Sequence, residues 1–128
     1  MIDTVNDNRP VNLDLFTIKQ PLPAIASILH RITGVLLFIF IALLICALDQ
    51  SLSSKESFME LQENFSGGFA KLVVWALLSA LIYHLVAGVK HLLMDLGIGE
   101  TLEGGRLGAK VTLLVSAVLI LITGVAIW

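Results

Sequence analysis

The sequence predicts an all-α integral membrane protein with three transmembrane helices, and three observations carry that expectation. Of its 128 residues 57% are hydrophobic and only 14% charged, with a mean hydropathy of +0.94, a composition that a soluble domain of this length does not carry. Three apolar stretches, residues 32–48, 72–89 and 111–128, each approach the roughly 20 residues needed to cross a hydrocarbon core. The few ionisable residues lie in polar segments, at the ends of these stretches or, rarely, inside them.

Taken in order, residues 1–20 form a polar amino-terminal segment with Asp3, Asp7, Arg9, Asp14 and Lys19. With no apolar core ahead of a small-residue cleavage site, no cleaved signal peptide is expected. The first span is placed at residues 21–48, because proline is tolerated in a first helical turn and Pro21 and Pro23 mark the start. That extension brings Ser27, His30 and Arg31 into the helix. Residues 49–68 read as a polar loop holding a short interfacial helix: Ser53 and Glu56 have capping-box spacing, Phe58, Leu61 and Phe65 share a face, and Gly67 and Gly68 end it. The second span is placed at residues 69–93. Residues 94–109, with Gly97, Gly99, Gly104, Gly105 and Gly108, read as a flexible turn, and residues 110–128 as the third span.

Counting lysine and arginine near the span ends orients the chain. Arg9, Lys19 and Arg31 precede or open the first span, Lys55 and Lys71 lie in or beside the acidic first loop, Lys90, Arg106 and Lys110 flank the second loop, and the carboxyl end has none, a modest bias. The bias places the amino terminus and second loop in the cytoplasm and the first loop and Trp128 on the far side. Trp75 and Trp128 then fall near the far face, where tryptophan commonly anchors.

The formal net charge of −2 and the absence of a basic stripe with interleaved aromatics exclude a nucleic-acid binder. Cys46 is the only cysteine, so neither an intrachain disulfide nor a cysteine metal cluster can form.

His84 is the sharpest single signal. It lies among Leu81, Ile82, Leu85, Val86 and Ala87, and an ionisable ring inside a span is a functional residue by default, as ligand or proton relay, with packing as the competing reading. Haem iron suits it: burial keeps the imidazole neutral, and Gly88 one turn on leaves room for a flat macrocycle. Zinc fits less well, for want of clustered further ligands. His91, seven residues on, shares the face about 10 Å along the axis. With Lys90 and Asp95 beside it, it reads equally as an interfacial polar cluster or as a propionate or proton contact. On the first span Ser27 and Arg31 are four residues apart and point a hydroxyl and a permanent cation the same way, which could hold a carbonyl oxygen; a snorkelling anchor is the competing role for Arg31. Thr33 and Gly34 are small residues of the kind that permit close helix packing.

These residues resemble a known family, the cytochrome b membrane-anchor subunit of bacterial succinate dehydrogenase, the respiratory complex II. The resemblance runs nearly end to end. It rests on Arg9, Pro10, Val11, Asn12, Leu13, Asp14 and Leu15 in a row, on Ser27 to Gly34 with His30, Arg31 and Thr33 between, and on His84, Gly88, His91 and Asp95. Many members carry a serine-proline-histidine stretch after the first Arg-Pro; this chain does not, a departure that resembles one bacterial branch.

The resemblance implies that His84 is one axial ligand of a haem b whose other ligand comes from a second small anchor subunit, the two subunits forming one larger helical bundle. It implies that His30, Arg31 and His91 approach the haem propionates, that Ser27 and Arg31 bind ubiquinone at the cytoplasmic side, and that Asp95 helps deliver protons. Flavoprotein and iron–sulfur subunits would be the partners, holding the succinate-oxidising residues, and the bacterial inner membrane the location. Competing readings are a haem-free proton-path or transporter subunit, a purely structural anchor, haem ligation within this chain by His30 and His84, and the anchor of a related fumarate reductase.

Overall fold

A computed structural model describes residues 17–128. The amino-terminal run from Arg9 to Leu15 therefore lies outside the described residues, as do Asp3 and Asp7. Four helices follow one another: α1 (Leu22–Ser53), α2 (Lys55–Asn64), α3 (Gly68–Asp95) and α4 (Leu102–Ile127). Three of them, α1, α3 and α4, are long and apolar enough to cross a membrane. In lipid every backbone N–H and C=O must be satisfied within the segment, which is why such runs become uninterrupted helices. Large apolar side chains point outward, Phe38 at 78% and Val125 at 83% exposure, a surface that only acyl chains or partner helices can cover.

At 32 residues and 1.5 Å per residue, α1 is about 48 Å long and exceeds a hydrocarbon core of about 30 Å. It begins with Pro21 as N-cap and Pro23 in its first turn, and runs on past Leu48 through Asp49 and Gln50 to Ser53. The expected pairing of Ser53 with Glu56 is not the cap: Ser53 closes α1, and the hydroxyl of Ser54 accepts from Ser57 N–H at 3.0 Å to start α2. Consecutive serines offer the same chemistry, and the one left in extended backbone takes the role. Likewise α2 ends at Asn64, while Gly67 serves as N-cap of α3 and Gly68 as its first residue.

The glycine-rich segment expected to be a flexible turn is mostly helix. Only residues 96–101 connect α3 to α4. Gly97, at φ +83°, closes α3 in a Schellman arrangement, Ile98 N–H donating to Leu93 O and Gly97 N–H to Met94 O. Thr101 then caps α4 by accepting from Gly104 N–H at 3.0 Å. Gly104 and Gly105 lie in the first turn of α4, and Gly108 follows one turn on. A Cβ at Gly104 would come within 2.8 Å of Gly99 Cα, so the glycines permit a tight reversal of direction.

Helix α3 is central, packing against both α1 and α4, and α1 also touches α4. The α1–α3 pair is antiparallel, because Gly34 meets His84 while His30 lies beside His91. Helices α3 and α4 are antiparallel too: Lys90 lies over Gly108, and at the other end Trp75 Nε1–H donates to Ile120 O at 3.0 Å beside Gly124. The buried face of α4 is Gly105, Ala109, Thr112 and Ser116, a small-residue stripe that lets backbones approach. The starts of α1 and α4 and the end of α3 therefore share one side of the bundle.

Candidate functional site: a histidine seam between two spans

The seam between α1 and α3 is made from residues too small to hold the helices apart. Ala26 and Ala87 are buried, and Gly34 and Gly88 face side chains of the opposite helix. Into the space they leave come the polar side chains. Tyr83 Oη–H donates to Ala26 O at 2.8 Å, fully inside the seam. One helical position later, His84 lies against the turn from His30 to Gly34.

The approach of His84 is close. A Cβ built on Gly34 would stand 2.9 Å from His84 Cε1, a distance that real Cβ atoms do not reach. Nδ1 of His84 is 3.1 Å from the carbonyl oxygen of His30 and 3.3 Å from Thr33 Oγ1. The imidazole of His30 stacks on that of His84 with ring centroids 4.2 Å apart and planes within 10°. His91 joins from one side, its ring 5.1 Å from His30 and tilted by 50°. All three rings are half-buried. Among the described residues no group of three or more His, Cys, Asp or Glu side chains could by itself hold a metal ion.

The seam thus brings together His30, His84 and His91. Arg31 is exposed on α1 next to His30, yet within electrostatic reach of His91, as are Lys90 and Asp95. Ser27 is half-buried one turn before Arg31, and Asp95 is exposed at the end of α3. These residues all lie toward the side of the bundle where α1 begins and α3 ends.

Two members of the seam escaped the reading of the sequence. Tyr83 is the chain's only tyrosine, and a phenol inside an apolar run demands a hydrogen-bond partner; that demand was the available signal. Thr33 was read only as a small packing residue. Its hydroxyl bonds backward to Leu29 O and His30 O, each at 2.9 Å, while its oxygen also faces His84.

The geometry defines a three-span membrane helical bundle with three histidines gathered along one interhelical seam. The family described as the succinate dehydrogenase/fumarate reductase transmembrane subunit matches residues 5–123. The chain belongs to it, as a bacterial-type cytochrome b anchor subunit of succinate dehydrogenase. It is 44% identical over 125 residues to the succinate dehydrogenase cytochrome b556 subunit of Coxiella burnetii, covering 97% of this chain and all of that one. To the corresponding subunit of Paracoccus denitrificans it is 32% identical over 123 residues, covering 96% and 95%. The human mitochondrial cytochrome b560 subunit is 32% identical over 97 residues, 74% of this chain and 57% of its own length.

Proposed function

We propose that the chain anchors the flavoprotein and iron–sulfur subunits of a succinate dehydrogenase in the bacterial inner membrane, holds one haem b through His84, and forms a ubiquinone-reduction site with Ser27 and Arg31. Succinate oxidation belongs to the partner subunits. The observation that carries this reading is the pinned His84 imidazole, set beside His30 and His91 in a seam lined by glycine.

The donor set fits the group. His84 turns Nδ1 toward α1, so Nε2 would be the nitrogen that takes a metal, and the residue is only half-buried. A second ligand for the iron would come from another chain, the second small anchor subunit. Ligation of one iron by both His30 and His84 is poorly served, since the two imidazoles stack face to face with centroids 4.2 Å apart, which leaves no room for an iron between their nitrogens. Haem b, when bound, supplies a one-electron carrier whose potential the protein tunes. Arg31 and the ring N–H groups of His30 and His91 provide donors suited to its two carboxylates.

Reduction of a quinone consumes two electrons and two protons, so the site must bind a carbonyl oxygen and admit protons. Ser27 and Arg31, one turn apart on α1, present a hydroxyl and a guanidinium that both donate to such an oxygen. Asp95, exposed one turn beyond His91, offers a carboxylate for proton delivery from water at that end. The lysine and arginine bias supports a cytoplasmic position for that end, where an iron–sulfur partner would dock and electrons arrive.

The test separates quinone chemistry from succinate chemistry. Arg31→Leu removes a charge-assisted hydrogen bond worth about 1.5–3 kcal/mol and is expected to lower quinone reduction roughly ten- to hundred-fold, with Ser27→Ala lowering it several-fold. Succinate oxidation by a soluble artificial acceptor stays at the wild-type rate. Equal loss of both activities in assembled complexes contradicts the assignment.

A further inference from the structure

Resting on the reading of His84 as haem ligand, we propose that Thr33, with the backbone carbonyl of His30, is a positioning residue that fixes the tautomer and ring orientation of His84. The argument is one of hydrogen-bond inventory. Nδ1 of His84 faces two oxygens, His30 O at 3.1 Å and Thr33 Oγ1 at 3.3 Å. A carbonyl oxygen can only accept. A threonine hydroxyl has one hydrogen, and Thr33 Oγ1 has two carbonyl acceptors for it, those of Leu29 and His30, each 2.9 Å away and nearer than Nδ1. The oxygen therefore turns lone pairs, not its hydrogen, toward the imidazole. Both atoms facing Nδ1 are acceptors, so Nδ1 carries the hydrogen and Nε2 the lone pair.

The arrangement also determines where the ring can go. Gly34 leaves no methyl in the way at 2.9 Å, and the stacked ring of His30 at 4.2 Å covers one face of the imidazole. Hydrogen bonding of the distal N–H to an acceptor raises the basicity of a ligating imidazole. An iron bound at Nε2 is then stabilised more in its oxidised state. Thr33 reaches the metal only through His84, and its contribution appears in potential and haem retention.

The experiment uses the complete complex purified from membranes, carrying wild-type chain, Thr33→Val, Thr33→Ala or Thr33→Ser. The b-type absorbance is followed through a redox titration and through loss of haem to an excess of apomyoglobin. Val and Ala, which lack the hydroxyl, are expected to shift the haem to higher potential and to weaken haem retention about tenfold, while Ser keeps wild-type values. Wild-type potential and retention in Val and Ala overturn the inference. So does a shift in Ser as large as that in Val, or failure of Ser to assemble, because either would make the methyl group and not the hydroxyl the operative part. Should Val and Ala fail to assemble, Ser alone decides, wild-type potential and retention supporting the role of the hydroxyl. His84→Ala in the same series separates the two levels: a haem signal unchanged in potential and amplitude there overturns the ligand assignment itself, whatever the Thr33 variants do.

Discussion

At Gly34 a hydrogen in place of a methyl group decides whether His84 can lie against α1. An alanine Cβ would stand 2.9 Å from His84 Cε1, so the ring would have to swing away from the carbonyl it bonds or the helices would have to part. Overpacking of this kind costs about 1–3 kcal/mol. Gly34→Ala is expected to lower the thermal stability of the complex and its haem content together, measured by thermal inactivation and by absorbance per flavin. Gly88→Ala is expected to leave the thermal stability close to wild type, because its Cβ would meet His30 Nε2 at an ordinary 3.6 Å. At this scale the sequence was partly legible. An imidazole surrounded by Leu81, Ile82, Leu85 and Val86 announces itself by the cost of placing it there. Its immediate partner did not, because a backbone carbonyl of another helix carries no sequence signature, and Thr33 differs from any packing threonine only by the turn it faces.

The elements were easiest to read where lipid dictates them and hardest where local caps compete. Apolar runs of span length become helices because nothing else satisfies their backbone in a bilayer. Ends are another matter: adjacent Ser53 and Ser54 differ in role only through which of them stays in extended backbone. Gly104, Gly105 and Gly108 suggested a flexible turn because glycine weakens helices in water. Here their lack of a side chain serves helix packing, with Gly104 against Gly99 and Gly108 beneath Lys90. Trp75 shows the same limit. Its indole was expected to anchor at the membrane interface, yet it also fastens α3 to α4, bonding Ile120 O at 3.0 Å and meeting Trp128 edge-on at 6.2 Å. A Cβ on Gly124 would stand 3.1 Å from Trp75 Nε1, so the missing methyl admits the ring. Trp75→Phe keeps the aromatic bulk and loses one interhelical hydrogen bond, which predicts a loss of about 0.5–1.5 kcal/mol. A lowered thermal transition of the purified complex with unchanged haem content would show it; an unchanged transition would assign the indole to anchoring alone.

At the scale of the whole molecule, the candidate site and the small-residue packing stripe lie on different helices. The first and second spans carry Ser27, His30, Arg31, His84 and His91 along one seam and its open end, whereas α4 contributes Gly105, Ala109, Thr112 and Ser116 to packing. The outer surface of bare leucine, isoleucine and phenylalanine is one that acyl chains or partner helices cover. The composition made the membrane plain at once. The convergence of His30 and His91 on His84 needed the antiparallel register of α1 and α3, which no single stretch of sequence encodes.

The claim on which the rest depends is that His84 holds haem iron. Its most direct test is the reduced-minus-oxidised absorption spectrum of membranes containing the complete complex, with wild-type chain and with His84→Ala at matched flavoprotein content. Wild-type membranes should give a low-spin b-type signal attributable to the complex, and His84→Ala should abolish it or convert it to high spin. No such signal in the wild type, or one that His84→Ala leaves unchanged, would contradict the account.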